Sequence, residues 1–217
     1  MANFDDIKIE NPVTGIILYK NIIKKDLNII NRLEKVIQRN SDDFFRWKPS
    51  LVGDKQSNLD HRNCHDFKIN KKQLSENKKA WMSDLRNIYY DIEERLAFCV
   101  NDYAGKYAVS VEYTEAFNFV KYGEGEYFHV HPDHGPTYVC VLSSVMYLND
   151  NYEGGGLYFP HFDYSYRPEE GDLLLFPSSF IYQHAALPVT SGIKYSVVTM
   201  FDYNDRFHNL KPMQDIS

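Results

Sequence analysis

From about residue 106 onward the chain breaks into short apolar runs separated by glycine-bearing turns, and this constrains its fold more than any other feature. Residues 115–122 alternate apolar and polar, 138–148 are almost continuously apolar, and 171–177 and 193–203 complete the series. Gly123, Gly125, Gly154, Gly155, Gly156, Gly171 and Gly192 punctuate these runs. A period of two places successive side chains on opposite faces of a strand, and several short strands with regular turn signals predict a sandwich or barrel. The 17 tyrosines and 14 phenylalanines among 217 residues suit such strands.

The N-terminal half reads differently. Residues 15–19 predict a strand. Asp26 opens an amphipathic helix in which Leu27, Ile30, Leu33, Val36 and Ile37 recur at helical spacing. A second helix is predicted over about 72–103, with Trp81, Leu85, Ile88, Ile92, Leu96 and Cys99 toward a core. Between them, residues 49–66 carry Pro49, Gly53, Asp54, Ser57, Asn58 and Asp60 and read as a loop. Binding loops sit on rigid scaffolds, so this segment is the expected lid. With no repeat and no interdomain linker, one domain is expected over 12–206. It divides into helical support and lid (12–105) and a β core (106–206). Residues 1–11 and 207–217 are expected to be tails, poorly ordered at the N-terminus.

A net charge of −6 argues against a nucleic-acid partner held by a broad basic surface. No stretch approaches the roughly 18 apolar residues of a membrane span, and the first residues lack the basic and apolar regions of a signal peptide. Cys64, Cys99 and Cys140 form no CxxC pair and read as reduced structural thiols, hence a cytoplasmic location.

His131-Pro132-Asp133, with His184 and Lys194 further along, is the constellation that carries chemistry. On one strand, residues i and i+2 point the same way, so His131 and Asp133 share a face. Pro132 removes a ladder donor and marks a strand end or edge. Two histidines and one carboxylate are the ligand set of a facial-triad non-haem iron(II) site, which leaves three octahedral positions open. Lys194 supplies a cation for a neighbouring anion pocket. His129 and His131 also resemble the start of a cupin motif, but the carboxylate position of that pattern falls on Gly135 and Pro136. His129 is then expected to act through a ligand, His134 and His161 to sit at the surface or pocket rim, and His61 and His65 to be exposed, with contact to substrate as the alternative.

The chain resembles the prolyl 4-hydroxylase branch of the iron(II)/2-oxoglutarate oxygenases over roughly 107–203. The resemblance runs through Tyr122-x-x-Gly125-x-x-Phe128-x-x-His131-x-Asp133, Tyr147-Leu148-Asn149 and Gly154-Gly155-Gly156-x-x-Phe159-Pro160. It continues through Pro168-x-x-Gly171-Asp172-Leu173-Leu174-Leu175-Phe176, His184-Ala185-Ala186-x-Pro188-Val189 and Gly192-x-Lys194-Tyr195. It implies an α+β chain, mainly β with N-terminal helical support, whose core is a double-stranded β-helix (jelly roll) packed against helices. It assigns His131, Asp133 and His184 to Fe(II), and Lys194 and Tyr147 to the distal carboxylate of 2-oxoglutarate. Tyr122 would line the co-substrate pocket. Ser196 shares the face of Lys194 and can donate as well. The chain departs from the family at Tyr195 and Phe201, near positions where tryptophan is common, at Leu157-Tyr158, and at Arg62-Asn63-Cys64, only faintly like an Arg-Thr-Ser segment.

The implied activity is a dioxygenase that hydroxylates a C–H bond, most simply of a prolyl residue in a protein or peptide. Dioxygen is consumed, succinate and carbon dioxide are released, and ascorbate is a candidate reductant. The carboxylate of Asp133 fills the position that halide takes in related halogenases, which favours hydroxylation. Two rivals are the same chemistry on a free amino acid or other non-prolyl substrate, and a non-catalytic cupin-like binding module.

Overall fold

The computed structural model describes residues 4, 6–39, 45–51, 60–76, 79–135 and 138–206. In chain order the elements are β1 (Lys8–Val13), β2 (Ile16–Lys20), α1 (Ile29–Arg39), β3 (Lys48–Pro49), β4 (Arg62–Asn63), β5 (His65–Ile69), α2 (Lys71–Glu76), α3 (Met82–Tyr107) and β6 (Tyr113–Thr114). They continue with β7 (Phe117–Tyr122), β8 (Tyr127–His131), β9 (Leu142–Tyr147), β10 (Glu153–Gly154), β11 (Leu157–Phe159) and β12 (Tyr164–Tyr166). The last four are β13 (Leu173–Pro177), β14 (His184–Ala186), β15 (Val189–Ser191) and β16 (Lys194–Asp202).

A nine-stranded antiparallel sheet runs in the order β1-β2-β13-β9-β16-β7-β5-β3, with β6 also paired to β16. A five-stranded sheet, β12-β11-β14-β8-β4, forms the second wall of a jelly roll. The central strands of the large sheet are apolar on both faces because both are covered. On β2, Ile17 and Tyr19 join the core made with the helices, while Ile16 and Leu18 join the core between the two sheets. β13 repeats the division, with Leu173 and Leu175 on the helix side and Leu174 and Phe176 on the other. α1 and α3 therefore act as a backing plate: Leu33 and Val36 of α1, and Leu85, Ile88, Ile92 and Leu96 of α3, are buried against that face. The rigid sheet in front is what positions the site.

Four expectations need correction. Residues 8–11 are not tail: β1 pairs with β2 from Lys8↔Lys20 onward. Its edge position accommodates Pro12, whose missing N–H costs nothing there. Asp26 does not open the α-helix; it lies in a 3-10 turn, Lys25–Leu27, and Asn28 takes a left-handed conformation (φ 46°) before α1 begins. The helix expected over 72–103 is two helices, α2 and α3, the second running on to Tyr107 and so past the expected 105/106 division. The segment 49–66 is not wholly loop, since it contributes to β3, β4 and β5, and β5 pairs along β7 in the large sheet. Residues 52–59 of the expected lid, and the expected tail 207–217, lie outside the described residues.

Candidate metal centre and anion pocket

β8 and β14 are antiparallel neighbours, and their register sets His131 directly opposite His184. β8 ends at His131, and the bend after Pro132 brings Asp133 back toward the two rings. Nε2 of His131 lies 3.7 Å from Oδ1 of Asp133, and Nε2 of His184 lies 3.8 Å from its Oδ2. The three ligand atoms all fall within 4.8 Å of one another.

The imidazoles are held with their coordinating nitrogens free. Nδ1 of His131 is 2.7 Å from the carbonyl of His129, and Nδ1 of His184 is 3.1 Å from that of Tyr182. A carbonyl only accepts, so each Nδ1 carries the proton and each Nε2 keeps its lone pair. Burial, and then the neighbouring His184, pushes the His131 pKa down to about 3. The ring is therefore neutral at pH 7, and its contact with Asp133 is not an ion pair. That leaves the Asp133 carboxylate buried, with Oδ2 lacking any hydrogen-bond partner among the described residues. A buried anion with an open oxygen beside two imidazole lone pairs is a cation site. The donor set fits Fe(II).

The other end of the same cavity is built for an anion. Lys194 faces Tyr122 across the β16–β7 ladder, and Ser196 faces Tyr147 across β16–β9. The Lys194 side chain is buried; its Nζ donates to the carbonyl of Gly155 at 2.6 Å and lies 5.0 and 5.4 Å from the ring centres of Tyr122 and Tyr147. No carboxylate among the described residues lies within ion-pair distance. Burial accordingly drives the ammonium pKa down to about 7. The Tyr147 hydroxyl is buried and unpartnered too. A stranded ammonium, a stranded phenol and the buried Ser196 hydroxyl are what one carboxylate would satisfy together. Gly155 allows the approach: its φ is +64°, and a Cβ there would meet Tyr152 Cε2 at 2.9 Å and Lys194 Cδ at 3.2 Å. Both ends open into one cavity of about 340 Å³ between the two sheets. It can hold a small dicarboxylate that reaches from Lys194 to the triad, so the residues fit 2-oxoglutarate as well as iron.

All seven expected site residues line this cavity. Tyr122 presents its ring to the Lys194 ammonium, with Nζ 5.0 Å from the ring centre. His129 acts through its backbone carbonyl, not its exposed side chain. His61 is not simply exposed; it lines the cavity with its ring 6.4 Å from that of His131. His65 pairs with Glu126 at 3.1 Å, His134 lines the rim and bonds the Cys140 carbonyl, and His161 is exposed. A polar wall not expected from the sequence adjoins these residues. Arg62 lines the cavity and donates to Asp66 at 3.1 Å, and Asp66 also accepts from Asn118 at 3.3 Å. Asn118 was in reach of period-two reasoning, since it lies on the face of β7 that carries Val120 and Tyr122.

Comparisons agree with this geometry. The model of the 2OG-Fe(II) oxygenase superfamily matches residues 117–202, which include His131, Asp133, His184 and Lys194. Procollagen-lysine,2-oxoglutarate 5-dioxygenase 1 of Mus musculus is 32% identical over 84 residues, 38% of this chain and 12% of that protein. A putative prolyl 4-hydroxylase of Acanthamoeba polyphaga mimivirus is 25% identical over 147 residues, an alignment covering 57% of each. The chain thus spans only a small part of the first of these relatives and little more than half of the second. Among solved structures, a prolyl hydroxylase from Trichoplax adhaerens in complex with a hypoxia inducible factor oxygen degradation domain peptide fragment shares the fold at a TM-score of 0.68 and 14% identity, over 91% of this chain and 88% of that one. A Pseudomonas putida prolyl-4-hydroxylase does so at 0.61 and 19%, over 88% and 93%. Residues 117–202 thus match the 2OG-Fe(II) oxygenase superfamily, and the chain as a whole shares its fold with prolyl hydroxylases.

Proposed function

We propose that the protein is an Fe(II)- and 2-oxoglutarate-dependent dioxygenase that hydroxylates a C–H bond of a prolyl residue in a peptide or protein. The observation that carries this is the pairing, in one cavity, of an unsatisfied cation site with an unsatisfied anion site. A cupin-like binding module has no need of the second.

When bound, iron and 2-oxoglutarate supply the oxidising power, drawn from dioxygen, with succinate and carbon dioxide as co-products. The protein's part is binding, orientation and exclusion of water. His131, Asp133 and His184 would hold the metal. Lys194, Tyr147 and Ser196 would bind the distal carboxylate of 2-oxoglutarate and orient the co-substrate in the cavity. Phe159 and Phe176 pack against His184, their ring centres 5.6 and 4.8 Å from its own, and hold that ligand in an apolar wall.

The prolyl assignment is supported by relatives and fold neighbours named for prolyl hydroxylation, one of them bound to a peptide. The lysine dioxygenase relative favours one rival, a lysyl side chain in a peptide. Three free, buried cysteines support a reducing, cytoplasm-like setting. Ascorbate remains the candidate reductant. Mass spectrometry of proline- and lysine-containing peptides incubated with the iron-loaded protein, 2-oxoglutarate and air decides between them. The expected product is 16 Da heavier at proline. A gain at lysine alone would replace the substrate, and no gain in any peptide despite 2-oxoglutarate turnover would remove the peptide class.

A further inference from the structure

The large sheet lays the cavity out in layers. Lys194 pairs with Tyr122, Ser196 with Val120, and Val198 with Asn118, while Lys68 on β5 also pairs with Asn118. Asn118 therefore stands about 13 Å along the strand from the Lys194 layer, at the rise of an antiparallel strand. It lies toward the mouth, where Lys68, Ala116 and Met200 line the cavity. The anion end is behind it, so what reaches Asn118 is not the part of a co-substrate held by Lys194.

The orientation of its amide is fixed. Asn118 Nδ2 donates to Asp66 Oδ2 at 3.3 Å, and the same oxygen accepts from Arg62 Nη2 at 3.1 Å. An ionised carboxylate only accepts, so the NH₂ end must face Asp66 and Oδ1 is the free end. Asn118 is only 9% exposed, it lines the cavity, and its Oδ1 has no hydrogen-bond partner among the described residues. Beside it in the same sheet stand Val145, Val198 and Met200, which carry no side-chain donor, and the neighbouring Lys68 is exposed and makes no hydrogen bond to Oδ1. A buried acceptor kept open by a charged scaffold behind it is a costly arrangement, offset when a ligand supplies the donor.

We propose that Asn118 is a specificity-determining residue whose Oδ1 accepts a backbone N–H of the substrate, that of the residue following the target proline. The inference rests on the prolyl reading above. A prolyl residue within a chain has no N–H, and the donor covalently nearest its ring is the amide of the next residue. A site built to receive that N–H discriminates strongly against an analogue lacking it, because Oδ1 is then left buried and unpaired. Peptides would be preferred over free proline for the same reason.

The test compares acetyl-Gly-Pro-Gly-amide with its depsipeptide, in which glycolate replaces the glycine after proline and an ester oxygen replaces the N–H. Both are assayed as substrates of the wild-type protein and of Asn118→Leu. The ester should lower kcat/KM about 5- to 150-fold in the wild type, the range for a lost hydrogen bond that strands a buried acceptor. It should cost Asn118→Leu little, while 2-oxoglutarate affinity, measured calorimetrically with Mn(II) as a redox-inert metal, stays unchanged in the variant. An equal ester penalty in both proteins, or none in the wild type, overturns the inference. The wild-type comparison stands by itself if Asn118→Leu fails to fold. Failure of the prolyl reading looks different: neither compound is hydroxylated although 2-oxoglutarate still binds, which removes the substrate and this role for Asn118 with it.

Discussion

Replacing Lys194 with methionine should do two opposite things. The side chain is buried, its one hydrogen bond goes to the Gly155 carbonyl, and burial has already pulled its pKa to about 7. The folded pKa lies below the ordinary lysine value of the unfolded chain. The cost of keeping the ammonium buried is therefore fully present below about pH 7 and fades as pH rises toward that ordinary value. Lys194→Met should raise the stability of the ligand-free protein by a few kcal/mol near neutral pH, since a buried charge is exchanged for an apolar chain of similar length. With 2-oxoglutarate the sign reverses. Losing one member of a buried charge pair costs about 2–5 kcal/mol, or roughly 30- to several-thousand-fold in Kd. pH adds a signature. Wild-type affinity should be level below pH 7 and weaken toward tenfold per unit above it, as binding comes to require proton uptake, and the variant should lose that slope. Calorimetric titration of 2-oxoglutarate into the Mn(II)-loaded proteins, with thermal denaturation of the ligand-free forms, reads all three effects. An unchanged Kd, or a variant less stable without ligand, would refute the reasoning.

Alanine at His131, Asp133 or His184 should abolish metal binding while leaving the fold, which inductively coupled plasma mass spectrometry and circular dichroism check; stoichiometric iron in His131→Ala would mean His129 substitutes. Tyr147→Phe removes an unpartnered hydroxyl, so it should leave ligand-free stability unchanged or slightly higher. It should weaken 2-oxoglutarate about 10- to 150-fold, the range for a hydrogen bond to a charged group, measured by the same calorimetry. Gly155→Ala puts a Cβ 2.9 Å from Tyr152 and 3.2 Å from Lys194 at a positive φ, so denaturant unfolding should show a loss of about 1–3 kcal/mol together with weaker 2-oxoglutarate binding.

The ligands were legible because their constraints are local. His131 and Asp133 are two apart with the strand-ending Pro132 between them, and Lys194 opens a long, largely apolar strand. The convergence arises differently from simple alternation, since β8 stops at His131 and a bend delivers Asp133. The large-sheet strands were visible as apolar runs because helices cover one face and the second sheet covers the other. The short strands were not. β4, β10 and β15 are held by partners far away in sequence, and two or three residues carry no periodicity of their own. Asn28 shows a similar limit: a left-handed residue splits what periodicity alone joins into one helix. The Arg62–Asp66–Asn118 wall was missed because its members lie on three strands whose register only the fold reveals.

The central claim is that one cavity joins an iron site to a 2-oxoglutarate site, and succinate formation tests it most directly. Purified protein reconstituted with Fe(II) is incubated with 2-oxoglutarate under air, and succinate is quantified beside Asp133→Ala and Lys194→Met. Succinate should form in the wild type, rise when a proline peptide that is hydroxylated is added, and be absent from Asp133→Ala. In Lys194→Met it should recover only at far higher 2-oxoglutarate. A folded wild-type protein that carries stoichiometric iron and yields no succinate above the Asp133→Ala background would contradict the claim.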